Sequence, residues 1–72
     1  MKTNFENFYL EARSRQTGEW VTVGYADDMC SLIDMQAEFI RETDDYDGWF
    51  CVDIYRIGRY KWSGKQFKKQ SA

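Results

Sequence analysis

Asp27-Asp28-Met29-Cys30-Ser31-Leu32-Ile33-Asp34-Met35-Gln36-Ala37-Glu38-Phe39-Ile40-Arg41-Glu42-Thr43 is the stretch on which the fold turns. Its apolar residues Met29, Leu32, Ile33, Phe39 and Ile40 recur at helical spacing, with Met35 at the margin. Neither proline nor glycine interrupts them. Asp27 or Asp28 suits the N-cap, where a carboxylate accepts backbone N–H bonds and complements the helix dipole. At about 100° per residue, Ser31, Asp34, Glu38, Arg41 and Glu42 cover the other side. The spacing therefore predicts an amphipathic helix over residues 29–43 with an acidic outer surface. Gln36 projects into the middle of the apolar stripe. Buried without a partner its amide would cost about 1–3 kcal/mol, so it is expected to reach the sheet's edge or a backbone group.

The flanking segments read as strands. From Phe8 to Ser14 the chain alternates, with Phe8, Leu10 and Ala12 on one side and Tyr9, Glu11 and Arg13 on the other. Gln16-Thr17-Gly18-Glu19 is a polar break suited to a short hairpin. Residues 20–25 form a second strand, Val21, Val23 and Tyr25 facing inward and Trp20 and Thr22 outward. After the helix, Asp44-Asp45-Tyr46-Asp47-Gly48 turns the chain into a third strand at residues 49–57, with Phe50, Val52 and Ile54 inward. Gly58 marks a bulge or a turn. Arg59-Tyr60-Lys61-Trp62 extends that strand or forms a fourth. The expected fold is α+β: a small antiparallel sheet of three or four strands with one helix on one face, in the order β-β-α-β(-β). Residues 1–64 make one compact domain, and residues 65–72 a basic tail expected to fray.

Seventy-two residues lie near the lower limit for a domain that folds on its core alone, and thirteen aromatics help to fill that core. No segment approaches the roughly 20 apolar residues of a membrane span, and the first residues lack the apolar run of a signal peptide. Cys30 and Cys51 stand apart and read as reduced thiols of a cytoplasmic protein.

Charge is divided sharply along the chain. Residues 27–47 hold eight acids against one base, a local charge of −7; residues 48–72 hold six bases against one acid, +5. The first 26 residues balance, so the net −2 conceals a polar molecule. Such asymmetry points to macromolecular recognition rather than chemistry. Histidine, the usual acid–base group at neutral pH, is missing, and the two cysteines lack the neighbours of a nucleophile or zinc site. No phosphate-binding glycine loop occurs. The acidic turn fails as a calcium loop: with Gly48 at the loop glycine, Thr43 takes the first ligand position and Ile54 the place of the bidentate glutamate. No enzyme activity, cofactor or metal is expected.

Two surfaces compete as binding sites. Asp34, Glu38 and Glu42 recur about 6 Å apart along the helix and run on into Asp44, Asp45 and Asp47. This row matches the interval of phosphates on one strand and suits a basic channel built for nucleic acid. Trp49 and Tyr55 are the candidate aromatic anchors beside it. The alternative is a nucleic-acid-binding module in which Arg59, Lys61, Lys65, Lys68 and Lys69 neutralise phosphates and Tyr60, Trp62 and Phe67 stack on bases. Tyr9, Trp20 and Tyr55 would add aromatics on the uncovered sheet face, as RNA-recognition sheets do, although the glycine–aromatic signature of those domains is absent. A third possibility is self-association, the acidic surface of one copy meeting the basic surface of the next.

The runs Phe8-Tyr9-Leu10-Glu11-Ala12, Trp20-Val21-Thr22-Val23-Gly24-Tyr25-Ala26-Asp27 and Trp49-Phe50-Cys51-Val52-Asp53-Ile54-Tyr55-Arg56-Ile57, with a helix between the last two, resemble the layout of short phage accessory proteins. That group includes the β-β-α-β phage inhibitor of host RNA polymerase and some anti-CRISPR proteins. No functional residue is carried over from it. The resemblance implies a non-enzymatic protein of the host cytoplasm that docks on a larger protein or nucleoprotein complex and blocks it.

Overall fold

Alternation in β1 (Phe8–Ser14) divides the molecule into two layers. Leu10 and Ala12 are wholly buried on one side, while Tyr9, Glu11 and Arg13 point to the other. The computed structural model describes residues 7–55 and 58–70. β2 (Trp20–Ala26) and β3 (Tyr46–Asp53) flank β1, and β4 (Gly58–Trp62) and β5 (Phe67–Lys69) extend the sheet beyond β3. The order is β2-β1-β3-β4-β5, with every pairing antiparallel. α1 (Met29–Glu42) runs from β2 back to β3 across the Leu10 side. This is an α+β fold with five strands where three or four were expected. The added strand, β5, comes from the segment expected to fray. The turn at Ser63 and Gly64, the latter at φ +97°, folds it back so that Phe67 packs on Trp62 at 5.0 Å.

The hairpin between β1 and β2 closes through Gly18, whose φ of +77° no branched residue would accept without strain. Asp28, not Asp27, caps α1: its Oδ1 accepts the Ser31 N–H at 2.8 Å, and this bond holds the carboxyl below the ordinary carboxylate range. The helix ends at Thr43, whose N–H donates to the Phe39 carbonyl.

β3 corrects the expected register. Trp49 and Cys51 face α1, opposite Ala12 and Leu10, while Phe50 and Val52 take the other face. Between Ser14 and Ala12 of β1, β3 carries one extra residue, so the pairing steps from Tyr46 to Trp49 and reverses the parity of everything that follows. The reason is volume. Ala12 leaves room beneath α1, and the Trp49 ring fills it, 6.0 Å from Phe39 and 5.6 Å from Tyr46. β3 ends at Asp53, so Ile54 and Tyr55 belong to the following turn; Arg56 and Ile57 lie outside the described residues. In β2, a bulge at Val23 likewise turns Tyr25 outward, opposite Tyr9.

The helix is rolled relative to its apolar pattern. Leu32 and Gln36 lie at the centre of the buried stripe, whereas Ile33 and Ile40 are 37% and 54% exposed. Met35 sits against Gly24 of β2, where a Cβ would collide with its sulfur. Half of the Gln36 amide lacks the partner expected of it: among the described residues its Nε2 has no hydrogen-bond partner. Replacing Gln36 with methionine, which has a similar shape and no amide, should stabilise the domain by about 1 kcal/mol. Leu32→Ala, at a fully buried site, should cost about 2–5 kcal/mol. Urea denaturation of both variants checks the pair.

Candidate interaction surfaces

Asp34, Glu38 and Glu42 are exposed along one side of α1. Glu38 approaches Arg41 only at 4.0 Å, an arrangement open to solvent that contributes little. Asp44 and Asp45 continue the acidic surface beyond the helix. Arg15 fixes them in place: its Nε donates to the Asp44 carbonyl at 2.9 Å and its Nη2 to Asp44 Oδ1 at 3.2 Å, while its backbone N–H donates to the Asp45 carbonyl at 2.7 Å. An open groove of about 760 Å³ lies at this end, bordered by Val21, Tyr46, Glu19, Asp44, Asp45 and Arg15.

Asp47 leaves the row. Its Oδ1 accepts from Arg13 Nε at 2.8 Å on the uncovered sheet face, and Arg13 holds its carboxyl below the ordinary range. Trp49 is corrected as an anchor, because it is 6% exposed and part of the core. Tyr55 is 71% exposed, but it follows β3, at the other end of that strand from the acidic turn.

The basic candidates also divide. Arg59 and Lys61 in β4 and Lys68 in β5 project from the uncovered sheet face by their register with Val52, Phe50 and each other. Trp62 packs on Phe67 instead of standing free. Lys69 pairs with Tyr60 on the helix side, and Lys65 occupies the exposed turn.

The uncovered face holds residues that single-strand periodicity did not connect. Trp20 crosses β1 to lie 5.0 Å from Phe50, passing over Gly48, where any side chain would press on the indole. The Arg13 guanidinium lies 5.8 Å from the Trp20 ring, and that of Arg59 4.4 Å from the Phe50 ring. Glu11 accepts from Arg59 at 3.0 Å. Tyr9 and Tyr25 meet at 6.0 Å. Tyr9 and Trp20 thus take the places their alternation predicts. Arg13 likewise follows from the alternation of β1, whereas Phe50 and Tyr25 could be found only once the bulges at Val23 and before Trp49 were known.

Cys30 is exposed and Cys51 buried, and both are free. Burial, and then the neighbouring Asp53 charge, push the Cys51 thiol up to about 11, which makes it unreactive at neutral pH. Among the described residues no group of three or more His, Cys, Asp or Glu side chains is placed to hold a metal ion. No helix among them is long and apolar enough to cross a membrane.

The class defined by these features is a small α+β domain whose helix presents acids on one side and whose bare sheet presents rings and cations on the other. Comparison with protein-family models, characterised proteins and solved structures finds no match to this chain. Function is accordingly argued from these residues.

Asp47 gives the site a pH signature. Its folded pKa is depressed, so the stability of its pair with Arg13 is complete above the ordinary value of 3.8 and is lost as pH falls through the lower folded value. Asp47→Asn should therefore lower Tm at neutral pH and reduce the further fall in Tm on acidification below about pH 4. Thermal melts across that range provide the check.

Proposed function

We propose that this chain is a non-enzymatic binding protein that docks on a basic groove of a larger protein or nucleoprotein assembly and inhibits it by occupying that groove. The observation that carries the reading is the exposed row Asp34, Glu38 and Glu42, continued by Asp44 and Asp45, on the side of the molecule away from the Arg59, Lys61 and Lys68 face. Spaced about 6 Å apart on a rigid helix, these carboxylates form a fixed ladder of negative charge that a nucleic-acid-binding channel would accept. Arg15 adds order to the row by tying Asp44 and Asp45 to the β1–β2 hairpin. The resemblance to phage polymerase inhibitors and anti-CRISPR proteins supports blockage as the outcome. Tagged protein should retain one stoichiometric protein assembly from native-host lysate after nuclease treatment. The double change Glu38→Lys with Glu42→Lys should abolish that retention while leaving the thermal melt nearly unchanged, as expected for exposed positions. Retention of the same assembly by the double variant would count against the reading.

A second reading rests on the uncovered sheet face. Tyr9, Tyr25 and Trp20 present rings beside Arg13, Arg59, Lys61 and Lys68, the combination that single-stranded nucleic acid uses for stacking and phosphate contact. Its partner would bind on rigid strands rather than through a basic tail. On this reading an oligonucleotide of about ten residues binds at low salt, affinity falls steeply as salt rises, and Trp20→Ala removes about 1–3 kcal/mol. Fluorescence titration at two salt concentrations decides it, and no signal at low salt would dispose of this reading.

A further inference from the structure

Ten basic and twelve acidic residues are spread through this chain, yet none falls in β2, Trp20-Val21-Thr22-Val23-Gly24-Tyr25-Ala26. β2 is an outer strand, paired with β1 and, among the described residues, with nothing on its other side. Exposed edges are templates for further strands, and folded proteins guard them with lysine, proline, short length or a β-bulge. β5, the opposite edge, follows this rule: it has three residues, two of them lysine. β2 has seven residues, no lysine and no proline; its one guard is a bulge at Val23, and Trp20 and Val21 are 39% and 40% exposed. The bulge at Val23 protects that part of the edge but leaves residues 20–22 in unbroken register with Arg13, Ala12 and Glu11, with Val21 bordering the groove.

The surroundings of that run define the chemistry of an occupant. Met35 rests on Gly24, so this flank of α1 is the one nearest β2. Around the helix, Glu42 and Glu38 lie about 20° and 60° from Met35, on the same flank. At the hairpin end, Val21 borders the groove together with Glu19, Asp44 and Asp45, and the groove's one base, Arg15, is already engaged by Asp44. A second copy paired antiparallel on β2 would bring its own Glu38 and Glu42 against these carboxylates, like charge on like. An extended segment with Lys or Arg at alternate positions would place every cation on the helix side.

We infer that β2 accepts a basic extended segment of the partner as a sixth strand, its backbone pairing along residues 20–22 and its alternate Lys or Arg side chains meeting Glu42, Glu38 and the acidic groove. The inference rests on the acidic-docking reading and specifies the form in which the partner engages that surface. Backbone pairing supplies affinity without sequence demands, and the carboxylates select for positive charge.

Two labelled heptapeptides test it by fluorescence anisotropy: Lys-Thr-Lys-Val-Lys-Thr-Lys, and the same sequence with its internal backbone amides N-methylated. Methylation removes the donors of a strand and keeps every charge. The unmethylated peptide should bind at low salt and slow hydrogen exchange in β2. Its affinity should fall at least tenfold on methylation, and at least tenfold again-independently when Glu38→Lys and Glu42→Lys are combined, a change of about 1.4 kcal/mol per tenfold step. Equal binding of the two peptides, with loss on charge reversal, would overturn strand addition and leave acidic docking intact. Equal binding insensitive to charge reversal would remove both. If neither peptide bound the unaltered protein, strand addition would likewise be overturned.

Discussion

Ala12 and Trp49 face each other across β1 and β3, and this large-against-small contact sets the orientation of half the sheet. With the indole seated beneath α1, Cys51 must follow it inward and Phe50 must turn outward. Phe50 then meets Trp20 and Arg59, and β4 inherits the same parity through its pairing with Val52 and Phe50. In the opposite register Phe50 would be core and Trp49 would lie in solvent. The bare sheet would then carry a different set of rings. A single choice of which aromatic fills the space above an alanine thus propagates, strand by strand, to the surface that meets other molecules.

Two layers give two outer surfaces, and the chain distributes its charges between them. The helix spends its apolar stripe on the sheet and turns carboxylates outward; β4 and β5 place Arg59, Lys61 and Lys68 on the far side. The shortest dimension of the molecule is 22 Å, more than twice the screening length of about 8–10 Å in ordinary salt. Each surface therefore acts on a partner with little influence from the other. The weak net charge of −2 does not describe how either surface is felt at close range.

The helix and β1 are legible in the sequence because each has one dominant period and one apolar side. β3 is not. Trp49 and Cys51 are apolar, and so are Phe50 and Val52, so a period of two fits either parity and only the partner strand decides. β5 is hidden for the opposite reason: its single apolar side chain, Phe67, carries no periodicity, although Ser63 and Gly64 mark the turn before it. Of the acidic site, Asp34, Glu38 and Glu42 follow directly from helical angles. The loss of Asp47 to Arg13 does not, since those residues are 34 positions apart and meet only after β1 and β3 have taken register. Gln36 is legible as an anomaly in the stripe, but that its Nε2 finds no hydrogen-bond partner among the described residues depends on how the helix rolls over the sheet.

β1 lies between strands that come after it on both sides of the helix, and this ordering matters while the chain is being made. Its hairpin with β2 needs only residues up to Ala26, and hairpins close within about 1–10 μs. The other side of β1 must wait for β3, which ends at Asp53. At synthesis rates of about 5–20 residues per second, that interval is roughly one to five seconds. Until Glu42 has been added, the nascent hairpin carries Leu10 and Ala12 uncovered by α1, and until β3 is complete one full row of backbone groups on β1 stays unpaired. The period of greatest hazard for this small domain is therefore set by the ribosome's pace, several orders of magnitude slower than the local folding steps on either side of it.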